Sequence, residues 1–134
     1  MLGVGNGITH KKNKDMLKSR DEFIALAMKE NRSHHRCMML GAIYQECLFL
    51  RGEEHPAFLN WCLERMVREG ESPSIRALCV KLAYWQCRHD AGRMGDLEGR
   101  FNRLVEGGCS VGLVKARSSV MERIHEWDLL NREG

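Results

Sequence analysis

Basic and hydroxyl side chains follow a double glycine near the end of the chain, and their types and spacing suit contacts with phosphate. Gly107 and Gly108 break one helical pattern, and a serine can cap the next pattern, which starts at Val111. Lysine and arginine donate to phosphate oxygens and, when bidentate, to guanine edges. We therefore predict a contact with a nucleic acid or with RNA polymerase through Ser110, Lys115, Arg117, Ser119 and Arg123.

The segment GCSVGLVKARSSVMERI resembles the helix-turn-helix of sigma factor region four. Its G-C-S turn followed by a basic amphipathic helix is also similar to the small lambdoid phage antitermination proteins of the Q type. The resemblance covers about residues 96–130 and implies a helix-turn-helix unit that packs through Val114 and presents its basic side to DNA or polymerase. Leu104 and Gly107 depart from the pattern, because such families place alanine and a hydrophobic residue at those positions.

A second basic group lies near the start of the chain. Lys11, Lys12 and Lys14 fall within residues 1–18, where Asp15 is the acidic residue. Such a segment can be a solvated, flexible terminus or an arm that contacts phosphates. We predict a flexible basic arm over 1–18 that adds nonspecific attraction to DNA.

The elements that must position these groups are helices. The chain has 134 residues, 43% of them hydrophobic and 29% charged, which suits a single domain with one core. Apolar residues recur at helical spacing, and the serines, glycines and two prolines mark helix ends. We predict an all-α, single-domain bundle of five or six helices over 19–134. The predicted helices span about 19–31, 34–51, 56–69, 73–89, 96–106 and 111–131, with the second central because it is apolar almost all round.

Six cysteines raise the question of disulfides or metal. They lack CxxC pairs and fall mostly in apolar helical runs, where a reduced cysteine packs as a small hydrophobic residue. Free thiols and no cofactor are therefore predicted. The alternative is a structural zinc ion, whose ligands would come from His34, His35, Cys37, Cys87 and His89.

Charge, hydropathy and motifs narrow the function. A formal charge of +3 is only mildly basic, and no segment has the roughly 18 consecutive apolar residues of a membrane span. The chain carries no HExxH or GKT-like motif, and we expect no enzyme. Without a signal-peptide pattern, a cytoplasmic location is expected.

Two functions remain. The first is a small regulator of the kind that phages encode, which binds DNA or RNA polymerase through the C-terminal unit. The alternative is a protein–protein interaction protein, such as a stoichiometric inhibitor or anti-defence protein that acts on a host protein or nucleoprotein complex. In that case exposed tryptophans and the arginines near them would make the contacts, because these residue types dominate binding hot spots.

Overall fold

The computed structural model describes the backbone of residues 6–108 and 111–133 and the side chains of 18–108 and 111–132. These residues form six α-helices and no strand, which confirms the predicted all-α bundle. The helices are α1 (Asn6–Lys29), α2 (Ser33–Gln45), α3 (Pro56–Met66), α4 (Pro73–Cys87), α5 (Ala91–Glu106) and α6 (Val111–Glu133). None of the helices in these ranges is both long and apolar enough to span a bilayer.

The helices pack around α4. α4 packs against α2 on one side and α6 on the other, and it contacts α3 and α5 behind it. α1 contacts α2 and α3, and a groove of about 210 Å³ lies between α3 and α5. Among successive helices, α1 packs on α2, α3 on α4 and α5 on α4, whereas α5 and α6 do not pack closely. α2 and α6 both pack on α4, and we call these three helices the inner layer.

The central helix is α4 and not α2 as predicted. Every residue from Leu82 to Cys87 is buried, because α4 packs against α2, α3, α5 and α6. α2 buries only one stripe, and its Met38 is 62% exposed. An apolar composition does not distinguish a helix surrounded by others from a helix at the end of a row, so the prediction for α2 was wrong.

Local signals fix some helix boundaries. Ser72 accepts a hydrogen bond from the backbone N–H of Ile75 at 3.3 Å, and Pro73 occupies the first turn of α4, as predicted. Gly107 ends α5, and Gly108 has a φ of +87°, in the left-handed region that favours glycine.

Three other boundaries differ from the prediction by at least five residues. α1 begins at Asn6 and not near Ser19, and residues 6–29 contain no proline that would break the longer helix. α5 begins at Ala91 and not at Asp96, because the Asp90 carboxylate accepts from the backbone N–H of Arg93 at 3.0 Å and caps the helix there. α2 ends at Gln45, before the predicted Arg51.

Candidate interaction surface

The predicted contact residues of α6 fall into two groups. Lys115 and Ser119 are exposed, whereas Arg117 and Arg123 are half-buried against other helices. Ser110 lies outside the described residues. Val114, expected to pack the helix-turn-helix, is 41% exposed, and its neighbour Leu113 is buried instead, because the Leu113, Ala116 and Val120 side of α6 is the side buried in the core.

Arg117 is held by α5. Its Nε donates to Glu98 Oε2 at 2.9 Å, and its Nη2 donates to Glu98 Oε1. The hydroxyl of Tyr84 donates to the same carboxylate at 2.6 Å. The hydrogen bonds from Arg117 lower the pKa of Glu98, and the bonds to Glu98 raise the pKa of Arg117. Both charges are therefore matched within the fold, and this guanidinium is not free for a phosphate.

The ion pair also links α5 to α6. Glu98 lies about two helical turns before the end of α5, and Arg117 lies about two turns after the start of α6. Side chains of the two helices thus meet beyond the glycine turn, although the helices do not pack closely along their length.

Arg123 closes the end of α2. It donates through Nη1 to the carbonyl of Tyr44 at 2.5 Å and through Nη2 to that of Gln45 at 3.5 Å. Carbonyls in the last turn of a helix lack partners within the helix, and a cation there is favoured by the helix dipole. The guanidinium carbon also lies 4.5 Å from the centre of the Tyr44 ring and 4.7 Å from that of Trp85. α2 therefore ends early because a residue of α6 takes up its carbonyls.

Arg88, at the end of α4, has a similar role. It donates to the carbonyls of Leu48, Leu50 and Trp85 at 2.6–2.7 Å, and its guanidinium lies over the rings of Trp85 and Trp127. Burial lowers the pKa of Arg88 to about 10, and nearby Arg51 and Arg123 add to the shift. This cation is stabilised by carbonyl dipoles and aromatic rings.

Lys81 lies beside the Tyr44 ring, as Arg123 does. It is the one charged residue in the apolar middle of α4, half-buried, with its Nζ 5.4 Å from the centre of the Tyr44 ring. We call Lys81, Arg88 and Arg123, with the rings of Tyr44 and Trp127, the cationic face of the inner layer. Among the described side chains, none of its three cations forms an ion pair with an acidic residue.

Sequence reasoning found Arg123 but missed Lys81 and Arg88. The three cations come from two different helices, and the aromatic Tyr44 that two of them share comes from a third. The available signal was Lys81 itself, because a lysine within the apolar run of a central helix must reach an edge of the packed layer.

The basic residues near the start remain a prediction. The backbone at Lys11, Lys12 and Lys14 belongs to α1, but their side chains lie outside the described set. Neither the flexibility of residues 1–18 nor their contact with phosphate is tested by the fold.

In the described part of the chain, the residues of the alternative zinc site do not form one cluster. Within 18–108 and 111–132, no three side chains of histidine, cysteine, aspartate or glutamate come together as metal ligands. His34, His35 and Cys37 lie at the start of α2, whereas Cys87 and His89 lie at the end of α4. Cys37, Cys47, Cys62, Cys79 and Cys87 are free thiols, and burial raises the pKa of Cys47 and Cys87 to about 11.

The tryptophans differ in their access to a partner. Trp85 is fully buried, and Trp61 and Trp127 are half-buried. Arg36 and Arg65 lie over the Trp61 ring, but both form ion pairs with Glu71. Trp127 lies beside Arg88, which forms no ion pair within the described part of the chain, although the nearby Asp128 acts to raise its pKa. The cationic face is thus where an aromatic ring and unmatched cations meet.

Comparison with known proteins gives one match. A family model described as a HEAT repeat domain matches residues 4–124, nearly the whole chain. No curated protein and no solved structure matches the chain. Stacked pairs of helices in two layers are the architecture of such repeats. The chain belongs to the HEAT repeat family.

Proposed function

We propose that this protein is a non-enzymatic interaction protein that binds an acidic segment of a partner protein on the cationic face of its inner layer. Helical repeats stack into extended binding surfaces, and their residues can serve recognition without catalysis. A role as a stoichiometric inhibitor of a larger complex fits this mode of action.

The observation that supports the proposal is the set of unmatched cations. Six ion pairs between arginine and a carboxylate occur among the described side chains, and Arg117 and the buried Arg36 each have such a partner. Lys81, Arg88 and Arg123 do not, although all three are partly withdrawn from water. A carboxylate from outside the chain would gain charge-assisted contacts there that the fold itself does not supply.

Lys81 is the most informative position to change. Arg88 and Arg123 also close helix ends, so their removal would disturb the fold as well as binding. Lys81 donates no hydrogen bond within the described residues, so its loss should leave the fold intact. Lys115 is the matched control, because it is an exposed lysine of the same layer that lies outside the cationic face.

The test measures fluorescence anisotropy of a labelled peptide rich in aspartate and glutamate with the wild-type chain, Lys81→Ala and Lys115→Ala. We expect Lys81→Ala to weaken binding about tenfold, which corresponds to ~1.4 kcal/mol, and Lys115→Ala to have little effect. Equal affinities for all three proteins, or no binding of the acidic peptide to the wild type, would contradict the proposal.

Binding of DNA is the second outcome that the same assay resolves. Exposed Lys115 and Ser119 on α6 leave part of the predicted nucleic-acid surface open. A labelled duplex that binds the wild-type chain, loses affinity in Lys115→Ala and keeps it in Lys81→Ala would favour the helix-turn-helix interpretation. That interpretation stays a prediction.

A further inference from the structure

An apolar groove lies between α1 and α2, at the end of the row of helix pairs. It has a volume of about 230 Å³ and its apolar lining comes from Phe23, Ile24, Ala42, Ile43, Phe49 and Leu50. The side chain of Phe23 is 37% exposed, and the nearby Leu26 is 59% exposed.

The groove opens away from the other helix pairs. On α2, Tyr44 faces α4 and α6, and Ala42 lies about 200° from it around the helix, on the opposite side. On α1, Asp21 faces α3, and Phe23 is separated from Asp21 by the same angle. Phe23 and Ala42 therefore belong to the end face, which no helix of the described chain covers.

The other end of the row is different. On α6, the side opposite the buried Ala116 and Val120 carries Ser118, Glu122 and His125, all exposed. Terminal repeats of such folds require a polar outer face for solubility. The outer side of α6 meets this requirement in its middle turns, whereas the outer side of α1 and α2 does not.

Two opposite charges flank the groove. Arg20 on the α1 wall lies over the Phe49 ring at 4.0 Å, and Glu46 lies on the α2 wall. Within the described residues neither side chain takes part in an ion pair. A two-fold axis parallel to the groove would place α1 of one copy against α2 of the other. Each Arg20 would then face a Glu46 of the second copy across an apolar centre.

We propose that a second copy of this chain occupies the groove, so that the protein forms a two-fold dimer through its α1–α2 end. The apolar centre supplies the driving force, and the two Arg20–Glu46 pairs set the orientation. The polar outer side of α6 and the cationic face remain open in this dimer, so partner binding does not depend on it.

Sedimentation equilibrium of the full chain, from about 1 µM to about 1 mM, tests the proposal. We expect a dimer for the wild type and a monomer for Ala42→Glu, which places a charge in the groove at an exposed position. Val114→Glu, at the 41% exposed position on α6, is the matched control and should remain dimeric. Circular dichroism of each variant checks that the helices are intact.

Exchange of the Arg20 and Glu46 charges tests the orientation of the two copies in the dimer. Arg20→Glu and Glu46→Arg should each weaken the dimer at least about tenfold, and the double variant should recover most of the loss. A wild-type chain that stays monomeric throughout this range overturns the proposal and leaves the groove to a different protein. A double variant no tighter than the single ones, or a dimeric Ala42→Glu, overturns it as well.

Discussion

The contact between Arg117 and Glu98 decides whether α6 is a structural helix or a free recognition helix. Arg117 donates to both carboxylate oxygens of Glu98, and the side chains are 32% and 30% exposed. Paired geometry strengthens such an interaction, while partial exposure to water weakens it. We therefore expect Arg117→Met to lower the free energy of unfolding by about 1–2 kcal/mol. For a chain of this size the melting temperature should fall by about 3–10 °C.

Urea unfolding followed by tryptophan fluorescence measures this loss. Lys115→Met is the matched control, because it removes the same charge from an exposed position two residues away on the same helix, and it should change the unfolding free energy by less than about 0.5 kcal/mol. A double-mutant cycle of Arg117→Met with Glu98→Gln should give a coupling energy of about 1 kcal/mol. Equal losses of unfolding free energy for Arg117→Met and Lys115→Met, with no coupling energy between Arg117 and Glu98, would refute this reasoning. Arg117 would then count as a free cation.

Three further predictions concern stability. Leu82→Ala should cost about 2–5 kcal/mol in calorimetry because Leu82 is fully buried in α4, whereas Leu130→Ala, at a 73% exposed position, should cost under about 0.5; similar losses would contradict the central place of α4. Ser72→Ala should lower the unfolding free energy by about 1 kcal/mol through loss of the α4 cap, and an unchanged urea midpoint would show that the cap contributes nothing. Arg117 holds the pKa of Glu98 below its ordinary 4.5, so the unfolded chain takes up more protons as the pH falls below that value. Wild-type stability should therefore fall more steeply there than that of Glu98→Gln, and parallel pH profiles would argue against the shift.

The sequence predicted helix boundaries where the signal is local. Ser72 and Pro73 together mark the start of α4, and this prediction was confirmed. The end of α2 was missed because its cause is distant in sequence. The chain stays apolar through Leu50, but Arg88 and Arg123 take up the carbonyls of this region from helices that follow much later. The local sequence around the end of α2 does not reveal contacts with residues so far away in the chain.

Some features of the candidate surface could be predicted from the sequence, and others could not. A lysine and a serine on the open side of α6 were identified correctly as exposed, because helical periodicity alone decides that. The partners of Arg117 and Arg123 were not, since Glu98 and Tyr44 come from other helices. For arginines in particular, the choice between a free cation and a structural one depends on tertiary contacts that charge patterning does not contain.

The most direct test of the proposed function is an NMR titration of the isotope-labelled full chain with the peptide rich in aspartate and glutamate. The account predicts that amide shifts concentrate around Tyr44, Lys81 and Arg123, on the inner layer where cations lack acidic partners. Shifts centred on Lys115 and Ser119, or spread evenly over the surface, would contradict it.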